Sequence, residues 1–175
     1  MINTILSNQY YLLILLMVLT AFPVGFFAGY FGIGGGLISV PVLFFIFETA
    51  DINKSFLMHL SVGTAFSITI FTSFVSVMTH RKHKAVDINI LKTYGLFVIF
   101  GVLLGTYMAA LLNTKSLVLF FAVVVYFFGG YLLIVKQELK KNNKFNFFPR
   151  IIFGFLSGFI SAPMGITGAM MNVPI

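Results

Sequence analysis

The sequence predicts an all-α membrane protein, a polytopic helical bundle with two internal repeats. Three observations favour this fold class. The 175 residues are 59% hydrophobic and only 9% charged, whereas a water-soluble domain carries roughly 25% charged residues. Uncharged stretches recur that are long enough to hold the roughly 20 residues of a membrane-crossing helix. A glycine-rich motif in the first of these stretches returns, in a looser form, in the last one.

The uncharged stretches predict the helices in order. All four acidic residues fall between these stretches, which cover residues 10–47, 55–79, 93–112, 116–135 and 151–175. They are too long and too little alternating for the strands of a membrane barrel. We divide the chain into a first repeat (1–135), a basic loop (136–150) and the start of a second repeat (151–175), and expect it to be part of a longer protein.

The basic residues predict the orientation. Loops 80–92 and 136–150 hold nine Lys and Arg residues, whereas loops 48–54 and 113–115 hold two. Cytoplasmic loops carry the excess of positive charge. We therefore expect a multi-pass protein of the cell inner membrane with loops 80–92 and 136–150 in the cytoplasm.

The first stretch, 10–47, is too long for one crossing and contains a glycine run. Four glycines within five positions each destabilise a helix by about 1 kcal/mol relative to alanine, which predicts a break at 32–36 and a new helix from Leu37. The stretch is then either a full span with an interfacial continuation or a hairpin that dips into the membrane and returns. Irregular backbone at membrane depth is tolerated where it is buried or lines a cavity.

The motif recurs at a constant offset of 133 residues: residues 165–174 (GITGAMMNVP) match residues 32–41 (GIGGGLISVP). Paired interrupted helices in two halves of a chain point to a transporter binding site. Since no span carries a charged side chain, an anion would be bound by the free backbone N–H groups at helix N-termini. Ser39, Asn172 and Thr167 add polar groups.

Other small and polar residues have structural alternatives. Three Gly-x-x-x-Gly pairs are typical of close helix packing: Gly25/Gly29, Gly101/Gly105 and Gly154/Gly158. In the second span a stripe of hydroxyls is predicted to face the bundle, either to bind substrate or to bond its own helix: Thr69, Thr72, Ser76 and Thr79. His59, near the start of that span, is either a functional intramembrane residue or a solvated one.

At these residues the sequence resembles the sulfite exporter TauE/SafE family of membrane permeases. Residues 25–43 (GFFAGYFGIGGGLISVPVL) look like that family's first-repeat signature, and His59 to Thr64 (HLSVGT) and residues 80–87 resemble the motif and loop that follow. The resemblance implies a transporter of seven or eight spans for small anions such as sulfite or organosulfonates, with the two glycine motifs as facing re-entrant hairpins. The candidate substrate-binding residues are Gly32, Gly34, Gly35, Gly36, Ser39, Thr64, Gly165, Thr167, Gly168 and Asn172.

The expected partners are the lipid bilayer and a small anionic substrate. No nucleic-acid partner, cofactor or metal is expected, and a homodimer is left open. The glycine run lacks the Lys-Ser/Thr of a phosphate-binding loop and no catalytic motif is visible, so we do not expect an enzyme. The alternative to a permease is a non-transporting structural or accessory membrane subunit.

Overall fold

The computed structural model describes residues 2–31, 35–82, 88–134 and 147–166, and these ranges form six α-helices and no strand. The helices are α1 (Ile2–Phe31), α2 (Gly36–Thr49), α3 (Leu57–Lys82), α4 (Ile88–Leu111), α5 (Thr114–Ile134) and α6 (Phe147–Met164). The prediction of an all-α membrane fold is confirmed.

Four of these helices contain an apolar stretch long enough to cross a membrane: Tyr10–Tyr30, Leu57–Thr79, Tyr94–Leu111 and Thr114–Tyr131. Their large apolar side chains mostly point outward, as in Phe22, Phe71 and Tyr126, which suits contact with lipid. The apolar helices Gly36–Thr49 and Ile151–Met164 are shorter. α3, α4 and α5 lie where the second, third and fourth uncharged stretches predict spans.

The structure describes a helix on each side of the predicted break, of which residues 32–34 lie outside the described residues. α1 ends at Phe31, and α2 begins at Gly36, one residue before the position predicted for the new helix. At the other end, α1 starts at Ile2 rather than at Tyr10, because residues 2–9 contain no glycine or proline that would end a helix.

α1 and α2 form an antiparallel hairpin. The main packing partner of α1 is α2, and only four residues connect them. Four residues reach at most about 14 Å, which is less than the roughly 21 Å length of a 14-residue helix. Two helices so connected can lie side by side only if they run in opposite directions. The antiparallel return of α2 is the arrangement expected of a hairpin, whereas α1 by itself contains an apolar stretch long enough for a full span.

α2 and α3 form the second close pair and contribute most of the buried core. Its members are Val40, Leu43, Ile46 and Phe47 of α2, and Leu57, Met58, Val62 and Ala65 of α3. Ala109 and Leu117 join this core from α4 and α5. On α3 the buried positions recur at helical spacing, so one stripe of the helix faces inward.

α4 and α6 form the third pair, and it is held together by glycines. A Cβ atom on Gly101 would lie 2.9 Å from the Phe159 nitrogen, and one on Gly158 would lie 2.9 Å from the Val102 nitrogen. Gly154 faces Tyr94 and Gly105 faces Ala162, so residue numbers rise together and the two helices run parallel. The packing predicted for these two glycine pairs is confirmed. At Gly25 and Gly29 a Cβ would meet no described atom within 4 Å, so the packing predicted there is wrong for the described chain.

The connections at 50–56 and 112–113 lie at one end of the bundle. The Thr114 hydroxyl donates a hydrogen bond of 2.6 Å to the Ser55 carbonyl, which ties the start of α5 to the loop before α3. Because α3, α4 and α5 each run the length of the bundle, the end of α3, the start of α4 and the end of α5 lie at the opposite end. The two loops predicted to share the less basic side therefore do so.

Candidate functional site

The described parts of the two glycine motifs, residues 35–41 and 165–166, meet in space. Gly36, the first residue of α2, packs against the backbone of Gly165 and Ile166, which follow α6. A Cβ atom added to Gly36 would overlap the Gly165 carbonyl oxygen and lie 2.8 Å from the Ile166 Cα. No side chain fits at this position without separating the two segments.

Gly165 ends α6 in a left-handed turn. Its φ angle is +65°, which glycine adopts at little cost and other residues avoid. The Gly165 N–H donates to the Ala162 carbonyl, and the Ile166 N–H donates to the Ser161 carbonyl, both at 3.2 Å. This pair of bonds is a Schellman motif, which satisfies the last carbonyls of a helix.

The turn is inserted between α2 and α3. A Cβ on Gly165 would lie 3.0 Å from Cγ2 of Val40 and 3.3 Å from the carbonyl oxygen of Val62. Val40 is completely buried, and Ile166 is 4% exposed. We call this meeting point of α2, α3 and the C-terminal end of α6 the three-helix junction; it lies inside the bundle, away from lipid.

At the N-terminus of α2 the backbone N–H groups of the first turn have no hydrogen-bond partner among the described residues. Gly35 is its N-cap residue, and no side chain caps the helix. The first bond of the helix runs from the Ser39 N–H to the Gly35 carbonyl at 2.9 Å. The N–H groups of residues 36–38 precede that bond and, with the helix dipole, give this end a partial positive charge. The facing C-terminal end of α6 is partially negative, so the two ends attract.

Hydroxyls supply the buried polar side chains around this point. Within the described ranges they belong to α2, α3 and α6, the three helices of the junction: Ser39, Ser61, Thr69, Ser157 and Ser161. Ser61 donates to the Leu57 carbonyl at 2.8 Å, and Ser161 makes a longer bond of 3.3 Å to the Gly158 carbonyl. None of these side chains carries a charge.

Of the predicted site residues, the structure brings Gly35, Gly36, Ser39 and Gly165 to the junction. Thr64 is half-buried beside the inward face of α3, and its hydroxyl donates to the Leu60 carbonyl at 2.8 Å. The other predicted site residues lie outside the described ranges: Gly32, Gly34, Thr167, Gly168 and Asn172.

Sequence reasoning missed Ser157 and Ser161. They are spaced one helical turn apart on α6, and both are more than nine-tenths buried. The signal that could have identified them is their spacing of four residues on the face that also carries Gly154 and Gly158. Ser157 and Ser161 put two hydroxyls on the helix that ends at Gly165.

The prediction that the hydroxyl stripe of α3 faces the bundle is wrong for three of its four members, whereas the alternative that the hydroxyls bond their own helix holds for two of those three. Thr69 is buried, but Thr72, Ser76 and Thr79 are exposed. Thr72 and Thr79 donate instead to carbonyls of their own helix, at 3.1 and 3.0 Å. The buried polar stripe of α3 lies nearer its N-terminus, at Ser61 and Thr69, because that half of the helix packs on the short helix α2.

His59 connects α3 to α4 close to the end that carries loop 50–56. Its Nε2 lies 3.2 Å from the carbonyl oxygen of Ala109, in the last turn of α4. Its Nδ1 is shielded from solvent and has no hydrogen-bond partner among the described residues. His59 is half-buried, is bonded to α4 and is not a member of the three-helix junction.

Comparison with known proteins gives a family. The family model for the sulfite exporter TauE/SafE matches residues 17–175. A probable membrane transporter protein of Haemophilus influenzae is 30% identical over 92% of this chain and 61% of its own length. One of Methanocaldococcus jannaschii is 27% identical over 97% of this chain and 64% of its own length.

A shorter match, 31% identical over 49% of this chain and 31% of the relative, is to a probable membrane transporter protein of Bacillus subtilis. The chain spans about three fifths of the length of the first two relatives. No solved structure matches. The match of the family model over residues 17–175, together with the glycine segments and the apolar helices, shows that this membrane chain belongs to the sulfite exporter TauE/SafE family.

Proposed function

We propose that the protein is a permease for small anions, such as sulfite or organosulfonates, and that it binds them where its two glycine segments meet. The observation that carries the proposal is the backbone contact of Gly36 with Gly165 and Ile166. It brings the two interrupted helices together inside the bundle, as expected of a transporter binding site. The relatives' description as probable membrane transporters supports the same function.

The chemistry of the junction suits a sulfur oxyanion. Sulfite and sulfonate groups present negatively charged oxygens that accept hydrogen bonds. The uncapped N-terminus of α2 offers backbone N–H donors, and helix N-termini bind anions without any basic side chain. The absence of a side chain at Gly35 and Gly36 lets a ligand approach that backbone closely. The Ser39 hydroxyl, on the first turn of α2, adds a donor.

The described conformation is the closed one. The Gly165 carbonyl oxygen lies against Gly36, where an oxyanion would approach the amides of α2. An anion therefore binds when the C-terminal end of α6 moves away from α2. The full negative charge of the anion then takes the place of the partial negative charge of the Gly165 carbonyl oxygen. The three helices of the junction belong to one chain.

A flux assay tests the proposal. The purified protein is reconstituted in liposomes, and uptake of sulfite, of sulfoacetate, of an inorganic cation and of a neutral sugar is compared with uptake by empty vesicles. We expect uptake of the anions only. If the folded protein in the bilayer moves none of the four solutes, the permease function is overturned in favour of an accessory subunit. If it moves the cation, the anion site is overturned.

A further inference from the structure

Two buried hydroxyls have no hydrogen-bond partner among the described residues: those of Ser39 on α2 and Thr69 on α3. Ser39 is 7% exposed and Thr69 is 8% exposed, and neither hydroxyl donates to a carbonyl of its own helix. Neither oxygen is completely enclosed, because in the described part of the chain Nδ1 of His59 is the one fully shielded side-chain atom of this kind that lacks a partner. A small ligand can therefore reach both hydroxyls.

These two hydroxyls depart from the usual behaviour of serine and threonine in membrane helices, which is to donate to a carbonyl of the preceding turn. Several other hydroxyls of α3 do so: Ser61, Thr64, Ser67, Thr72 and Thr79. Ser161 does so on α6. A buried hydroxyl without a bond lowers the stability of the folded chain. An acceptor from outside the described chain would remove that loss.

Thr69 lies on the side of α3 that faces the junction. It follows Val62, which lies next to Gly165, by seven residues. Seven residues are close to two full turns, so the two side chains leave the helix on the same side. At a rise of about 1.5 Å per residue, Thr69 lies about 10 Å further along α3 than Val62.

The same comparison along α2 gives the position of its N-terminus. α2 and α3 run in opposite directions, because the end of α2 and the start of α3 both adjoin loop 50–56. Val40 is the α2 residue next to Gly165, and Gly36 lies four residues, or about 6 Å, before it. Measured from the level of Gly165, Thr69 therefore lies about 4 Å beyond the first residue of α2. Thr69 stands in front of the N-terminus of α2.

Ser39 and Thr69 lean toward each other. Side chains on a helix tilt toward its N-terminus, so Ser39, which lies almost one turn inside α2, tilts toward Gly36. Because α3 is antiparallel to α2, Thr69 tilts back toward the same level. At that level are the N–H groups of residues 36–38, which have no partner among the described residues and carry the partial positive charge of the helix dipole.

We propose that Thr69 is a substrate-binding residue, and that Ser39, Thr69 and the first amides of α2 bind one oxyanion from different directions. This inference rests on the proposed function and names the part of the site that α3 supplies. Each hydroxyl donates to a different oxygen, so the substrate class is an anion whose oxygens point in several directions, as in sulfite or a sulfonate group. The bound anion gives both hydroxyls the acceptor that the described chain does not supply.

A purely structural role for Thr69 leads to the opposite expectation for stability. If its hydroxyl stabilised the packing of α3, its removal would lower the unfolding midpoint. A buried hydroxyl without a bond instead destabilises the protein when no anion is bound. Thr69→Val replaces that hydroxyl by a methyl group of similar shape, and should therefore keep or raise the unfolding midpoint in the absence of sulfite.

Calorimetric titration with sulfite, and thermal unfolding with and without sulfite, test the proposal on the full chain in detergent. Thr69→Val should weaken sulfite binding about tenfold. It should also reduce the rise of the unfolding midpoint that sulfite produces, because that rise follows the affinity. Thr69→Ser keeps a hydroxyl and should retain most of the affinity. Thr106→Val is the matched control, because the Thr106 hydroxyl on α4 already donates to the Val102 carbonyl at 2.8 Å.

The role of Thr69 is overturned if Thr69→Val binds sulfite as tightly as the unsubstituted protein or lowers the unfolding midpoint without sulfite. It is also overturned if Thr69→Ser loses as much affinity as Thr69→Val, or if Thr106→Val weakens binding equally. In each of these cases the unsubstituted protein still binds sulfite, and the proposed function stands.

Failure of the proposed function gives different results. If the folded, unsubstituted protein binds no sulfite, the anion site and the role of Thr69 are both overturned. If it binds sulfite in a way that depends on Thr69 but liposomes containing it show no anion flux, the permease function is overturned and the binding role of Thr69 is supported.

Discussion

Gly36 and Gly165, the first residue of one helix and the residue that ends another, are packed backbone to backbone, with the carbonyl of Gly165 against the α-carbon of Gly36. This contact makes the start of α2 and the end of α6 one structural unit, although most of the chain lies between them. A β-carbon has no room at Gly36, whereas one at Gly165 would be in tight contact with the Val40 side chain.

Gly36→Ala is expected to separate the two segments. The added methyl group would overlap the Gly165 carbonyl, and overpacking of this kind destabilises a protein by about 1–3 kcal/mol. Gly35→Ala is the matched control, because a Cβ there meets no described atom within 4 Å and the residue is already helical. Thermal unfolding in detergent should show a lower midpoint for Gly36→Ala alone. Equal midpoints for the two variants would contradict the contact.

Gly165→Ala should destabilise the turn for two separable reasons. A left-handed conformation costs a non-glycine residue about 1–2 kcal/mol, and the new methyl group would lie 3.0 Å from Cγ2 of Val40. Val40→Ala in the same chain removes the second effect and leaves the first. We therefore expect the double variant to be less destabilised than the sum of the two single variants, as a double-mutant cycle measures.

Gly158→Ala is expected to loosen α6 from α4. Its Cβ would press on the Val98 carbonyl and lie 2.9 Å from the Val102 nitrogen, which again implies a loss of about 1–3 kcal/mol. The control is Gly129→Ala on α5, where nothing lies within 4 Å and where alanine should add about 0.5–1 kcal/mol of helix stability. Unfolding midpoints that move in the same direction in both variants would argue against the interlocked pair.

Ser39→Ala tests whether the junction binds an anion. Loss of one hydroxyl donor to a charged ligand should weaken sulfite binding about tenfold, equivalent to roughly 1.4 kcal/mol. Ser61→Ala is the control, because the Ser61 hydroxyl already donates to the Leu57 carbonyl. Calorimetric titration with sulfite measures both. Equal losses in the two variants would place the anion elsewhere.

The hairpin of α1 and α2 predicts the side on which the N-terminus lies. It puts residue 1 at the same end as loop 50–56, which the distribution of basic residues assigns to the outside. A reporter fused at residue 1 should therefore be active outside, and one inserted in segment 136–150 should be active in the cytoplasm. A cytoplasmic signal from residue 1 would contradict the hairpin.

The sequence predicts most of the helices, because membrane spans depend on apolar length, which can be read directly. The start of a new helix near Gly36 was equally predictable, since clustered glycines destabilise a helix. The inward face of α3 could not be predicted in this way. Two sets of hydroxyls follow a helical period, and periodicity alone does not choose between them: Thr69, Thr72, Ser76 and Thr79, or Ser61 and Thr69. Which stripe is buried depends on where the short helix α2 packs, and this is a tertiary relationship.

The same limit applies to the site. Gly36 and Gly165 were identified because a repeat shows itself at a constant offset in one sequence. Ser157 and Ser161 were missed because a serine pair in a membrane helix has many ordinary uses. The bond of His59 to Ala109 joins residues 50 positions apart, and no local sequence pattern predicts such a contact.

Within the described residues the junction of α2, α3 and α6 contains no charged side chain, and this gives the proposed carrier an electrical property. An empty site of that kind is neutral, so reorientation without cargo moves no charge across the bilayer. A loaded site carries the full charge of its anion, and each elementary charge gains or loses about 2.3 kcal/mol per 100 mV. For the anion permease proposed above, a negative cell interior would therefore favour outward movement of the loaded form.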